Sequence, residues 1–162
     1  MFKQLLALVA GLAFAAPVSA TSWADINRLE ELVANTGTTV EAKECETDKA
    51  YGYYRFNKAE NIDLLVICTN VTDFGDPDAV WETLAHEATH VMQACQDGPI
   101  VPNKFTPRML RELQEVAPHY YALLKKYSGA HKRAELEAFW MELRAPHEVH
   151  RLFVKACYSD PE

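Results

Sequence analysis

Apolar positions along the chain fall into two rhythms. Ile26, Leu29, Leu32 and Val33 recur every three or four residues within 23–35, a helical spacing that stops at Gly37. Residues 38–45 alternate weakly and are rich in β-branched side chains. Residues 51–56 (YGYYRF) are aromatic, and residues 62–68 (IDLLVIC) are almost continuously apolar. These three stretches predict strands, the last one buried, with turn residues at 57–61 between the second and third. The helical rhythm returns at 76–98, opened by Asp76-Pro77 as cap and first position and closed by Asp97-Gly98-Pro99. Residues 98–106, with Pro99 and Pro102, read as an irregular loop. Thr106-Pro107 begins a long helix through Leu110, Leu113, Val116, Tyr120, Leu123 and Leu124, kinked at Pro118 and ended by Ser128-Gly129. Residues 130–144 form a further helix, and Pro146 opens the last one through Val149, Leu152, Phe153 and Ala156. The prediction is an α+β domain: one helix, a small antiparallel sheet of about three strands, then four more helices.

The helix over 76–98 changes the picture from fold to chemistry. At about 100° per residue, Val80, Leu84, Ala88, Val91 and Cys95 share one face, while Glu82, His86, His90, Gln93 and Asp97 share the opposite one. That polar stripe contains His86-Glu87-Ala88-Thr89-His90, an H-E-x-x-H sequence. Two histidines one turn apart can hold one Zn²⁺, and the intervening glutamate is placed to take a proton from a water activated by that ion. Without a role in metal binding, the same pattern would be a solvated amphipathic helix.

Composition narrows the setting. Residues 1–20 combine a short charged start, an apolar run from Leu5 to Ala16 too short to span a bilayer, and the small-residue end Val18-Ser19-Ala20. These are the marks of a secretory signal peptide, a retained anchor being the lesser reading. The expected mature protein is one domain over residues 21–162, exported to the periplasm or secreted, with no membrane contact after cleavage. The formal charge of −7 becomes −8 once Lys3 leaves. An acidic chain with no basic cluster in its sequence is a poor partner for nucleic acid. Four cysteines in an exported chain favour two disulfides over a metal site, since no pair has the C-x₂₋₄-C spacing. The preferred pairing is Cys45–Cys68, stapling neighbouring strands, and Cys95–Cys157, tying the motif helix to the C-terminus.

Two histidines leave a catalytic zinc one protein ligand short. The metzincin continuation H-E-x-x-H-x-x-G-x-x-H is absent, because neither its glycine nor its third histidine follows His90. A di-iron carboxylate site is excluded for want of a second E-x-x-H. Glu135-Leu136-Glu137-Ala138 instead resembles the E-x-x-A element that several gluzincin metallopeptidase families, ImmA/IrrE-like proteins among them, place after H-E-x-x-H. The resemblance covers the motif helix and this element, about a third of the mature chain. It implies a zincin-like fold, Glu135 as third metal ligand and Glu87 as catalytic base, with Ala138 letting the two helices approach. Glu137 is the alternative ligand, because residues two apart on a helix point roughly 200° apart and one alone can face the ion. Gln93, one turn beyond His90, is a candidate to support a ligand or bind a substrate amide. Tyr120, Tyr121, His119, His131, His147 and His150 are all candidate oxyanion donors, and Tyr53 and Tyr54 candidate cleft residues.

The expected function is therefore zinc-dependent hydrolysis of peptide bonds in a peptide or protein substrate. The alternative is a non-enzymatic exported protein that binds metal or peptide on the same scaffold.

Overall fold

The computed structural model describes residues 20–46 and 50–159. The expected signal peptide lies outside them except for its last residue. Helix α1 (Trp23–Ala34) starts at a capping box in which Ser22 and Asp25 each bond the other's backbone N–H. It leads into β1 (Thr39–Lys43), β2 (Gly52–Asn57) and β3 (Ile62–Cys68). Then come α2 (Pro77–Gln96), a short 3₁₀ turn at Asn103–Phe105, α3 (Thr106–Val116), α4 (Pro118–Leu124), α5 (Gly129–Glu142) and α6 (Pro146–Tyr158). The architecture is α+β, with six helices and a three-stranded sheet.

Two expectations need correction. The sheet is mixed, not antiparallel. Its order is β1-β3-β2, with β3 parallel to β1 and antiparallel to β2. The cause is the apolar run in β3: Leu65, Val66, Ile67 and Cys68 are fully buried and require cover on both flanks, so β3 takes the middle. A tight turn still joins β2 to β3, and β1 pairs with the far side of β3, running parallel to it. The long kinked helix is likewise two helices. Pro118 opens α4 after Ala117 has left helical geometry (φ −136°, ψ 67°), as the residue before a proline tends to do.

Helix α2 is the axis of the molecule. Asp76 caps it through the Asp78 N–H, Pro77 occupies the first turn, and the left-handed Asp97 (φ 52°) ends it. It packs against α1, α5, α6, β2 and β3, so more of its surface is buried than one apolar stripe would require. Trp81, Thr83, Ala85, Thr89 and Met92 are buried along with Val80, Leu84, Ala88 and Val91 of the predicted face, whereas Cys95, near the helix end, is exposed. One apolar core joins α1, the sheet, α2 and α6, and a second joins α3, α4 and α5; Trp140 packs against both.

The disulfides are Cys45–Cys68 and Cys95–Cys157. The first closes the β1–β3 pair, where Lys43 is the register partner of Cys68. The second ties the end of α2 to α6. Two disulfides fit an extracellular protein, and among the described residues no helix is long and apolar enough to cross a membrane. Replacing Cys95 and Cys157 together by alanine is expected to lower unfolding stability by about 4 kcal/mol, read by urea denaturation with the native disulfides otherwise intact.

Candidate metal centre

His86 and His90 project from the same side of α2, with ring centroids 5.2 Å apart. Helix α5 packs against α2, and its Ala138 is fully buried. From α5, Glu135 reaches the imidazole pair. Its Oε2 is 3.3 Å from His86 Nε2 and its Oε1 is 3.7 Å from His90 Nε2. The three groups each offer a ligand atom within 4.8 Å of the others. A tetrahedral zinc with bonds of about 2.0–2.1 Å sets its ligand atoms about 3.3–3.4 Å apart, close to the distances at which Glu135 already stands from the two imidazoles. Two imidazole nitrogens and a carboxylate oxygen are a donor set suited to a transition metal.

The remaining nitrogen of each ring is held. His86 Nδ1 lies 2.6 Å from Glu142 Oε1, and His90 Nδ1 lies 2.9 Å from Gln93 Oε1. With Nδ1 held in this way, each Nε2 faces the cluster, where its deprotonated form can bind an ion. Gln93 is fixed in turn, its amide nitrogen donating to the Ala134 carbonyl and to Glu137 Oε2. The sequence offers Gln93 as a supporting residue, and its position is that of a second link behind His90. Glu142 is a residue that sequence reasoning overlooks. Its signal is present nonetheless, because seven residues after Glu135 is two helical turns and hence the same face.

Glu137 is not part of the cluster. It is fully buried, accepts from the Ile100 and Val101 backbone N–H groups at 3.0 and 2.8 Å, and pairs with Arg133 at 3.0 Å. It clamps the loop after α2 onto α5.

Negative charge is concentrated here. Burial works against charge on His86, but hydrogen bonds to Glu135 and Glu142 outweigh it and push the imidazole up to about 10. His90 is moved the other way, by burial and then by the neighbouring His86. Glu87 is 7% exposed, and burial, reinforced by Glu135 and Glu142 against the pull of His86, raises it to about 7. Three carboxylates around one imidazole pair form a setting that a divalent cation would relieve.

The Glu87 side chain lies against β2, beside Gly52. Gly52 makes this approach possible. A Cβ there would sit 2.6 Å from the Val66 carbonyl oxygen, 2.8 Å from Thr83 Cγ2 and 3.1 Å from Glu87 Cγ. Gly52→Ala is expected to cost about 1–3 kcal/mol by overpacking, measurable by thermal unfolding, because the nearest atom is the backbone carbonyl of β3 and Thr83 and Glu87 press from α2.

The cluster opens into a cleft of about 890 Å³ walled by β2, α2 and α4. His119, Tyr120, Tyr53 and Tyr54 line it; Tyr121, His131, His147 and His150 do not. Tyr120 donates to Glu82 Oε2 at 3.3 Å and stacks on Phe139, whose ring meets His86 edge-on. Burial, then the charge of Glu142, moves the Tyr120 hydroxyl upward, so it stays protonated and able to donate. Tyr127, a cleft residue outside the sequence candidates, is also raised by burial and by the charges of Glu135 and Glu87.

No curated protein and no solved structure matches the chain. A family profile described as a domain of unknown function, DUF8637, does match it over residues 20–158, nearly the whole of what is described. The chain carrying this two-histidine, one-glutamate cluster is thus a member of the DUF8637 family.

Proposed function

We propose that the protein is an exported zinc-dependent peptide hydrolase. The observation that carries the reading is the convergence of His86, His90 and Glu135 beside a buried Glu87 at the floor of an open cleft. Zinc, when bound, supplies a Lewis acid that polarises a carbonyl and acidifies the attacking water. Glu87 takes the proton from that water and returns it to the departing amine. Glu142 and Gln93 keep the imidazoles oriented, so the site does not reorganise as charge develops. Tyr120 and Tyr127 supply protonated hydroxyls on the cleft wall for the developing oxyanion. Strand β2 is a sheet edge flanking the cleft, which suits an extended peptide added as a further strand.

The test is hydrolysis of an unfolded protein substrate by the purified protein. Cleavage should vanish with a chelator and return with Zn²⁺. Zinc bound stoichiometrically without turnover on any peptide library would favour the non-enzymatic alternative.

A further inference from the structure

Trp140 lies on the side of α5 opposite Glu135 and Glu142, by the helical spacing of about 100° per residue, and Arg144 follows just past the end of the helix. A second cleft, of about 340 Å³, opens there and shares no lining residue with the first. Its floor is apolar: Ile100, Val101, Met109, Trp140 and Leu152 line it, with Phe105 at the lip, 38% exposed. Its rim is cationic, formed by Arg108, Arg144, Arg151 and Lys155. In a chain with 16 basic and 23 acidic residues, four cations around one small cleft run against the overall charge.

Local carboxylates do not use up this charge. Glu112 alone serves Arg108 at 2.7 Å, Arg144 at 3.0 Å and the Trp140 indole N–H at 2.7 Å. The Arg144 guanidinium lies over the Trp140 ring at 4.4 Å, and its buried Nε has no hydrogen-bond partner among the described residues. Arg151 and Lys155 stand one turn apart on α6, where like charges repel, and form no ion pair among the described residues. Glu148, the acidic residue of the lining, accepts from the Ala145 N–H at the start of its helix.

We propose that this cleft binds a small amphipathic carboxylate, its single anionic head held by Arg144, Arg151 and Lys155 and its apolar body laid on Trp140 and Leu152. A guanidinium fork matches the two oxygens of a carboxylate, and the apolar floor rewards a hydrocarbon or aryl body. Four cations set against Glu112 and Glu148 suit a monoanion rather than a polyphosphate. The volume falls at the lower end of small-molecule sites, about 300–1,000 Å³. The proposal does not depend on the metal centre, since it concerns binding and not hydrolysis.

The experiment is an NMR titration of the folded protein with decanoate, 1-decanol and acetate, followed on the indole N–H of Trp140 with those of Trp23 and Trp81 as internal controls. Decanoate should shift Trp140 saturably, decanol should bind at least about tenfold more weakly, and acetate should leave the signal in place. The exposed double variant Arg151→Gln/Lys155→Gln should weaken decanoate about tenfold while leaving decanol unchanged. Equal binding of decanol and decanoate, an unaffected double variant, or no saturable shift at Trp140 would each overturn the proposal.

Discussion

Glu87→Gln is expected to lower peptide hydrolysis by about 10²–10⁴-fold while leaving fold and metal content as they are. The substitution keeps the size of the side chain and its contacts with β2, and it removes the group that takes and returns the proton. Because Glu87 is not in the ligand cluster, zinc affinity should change little, and loss of a buried negative charge should if anything favour the folded apoprotein. The paired readouts are kcat/KM on an unfolded protein substrate and zinc per chain. Retained activity would remove Glu87 from the mechanism. Lost zinc would show instead that Glu87 holds the site together.

Glu137→Ala should be the most destabilising single substitution near the site, by about 3–5 kcal/mol. It strands Arg133, whose Nε and Nη1 are already buried without partners among the described residues, and leaves the Ile100 and Val101 N–H groups unsatisfied. The effect should reach the metal as well. Gln93 loses one of its two anchors and holds His90 less firmly, so any variant that still folds should bind zinc about 10–100-fold more weakly. Glu135→Ala should do the reverse, abolishing zinc binding at little cost in stability, because Glu135 is partly exposed and supports no backbone. Denaturant midpoints and zinc titrations of the two variants separate these roles.

The contrast between these glutamates marks where sequence reading ends. Helical spacing says that Glu135 and Glu137 point in different directions, and a family resemblance favours Glu135. Nothing in the sequence reveals that Glu137 is buried beneath a loop whose two N–H groups it satisfies, because those partners lie more than thirty residues away. Glu142 was legible in principle, from the same face and two turns on, yet its value depends on α5 crossing α2 at the height of His86. The motif helix was read well because its caps and its periodicity are local. The strand order is not legible for the opposite reason. Strand order is set by competition for burial between distant segments, and the apolar run 62–68 wins the centre. The cationic cleft was hidden in the same way: its four basic residues come from three separate places in the chain and form no run.

On the proposed reading, one metal ion is held by two side chains of α2 and one of α5. Elemental analysis of the purified protein beside its His90→Ala variant is the test. The parent should hold close to one zinc per chain and the variant none above background, with both proteins folded. Equal zinc in the two would contradict it.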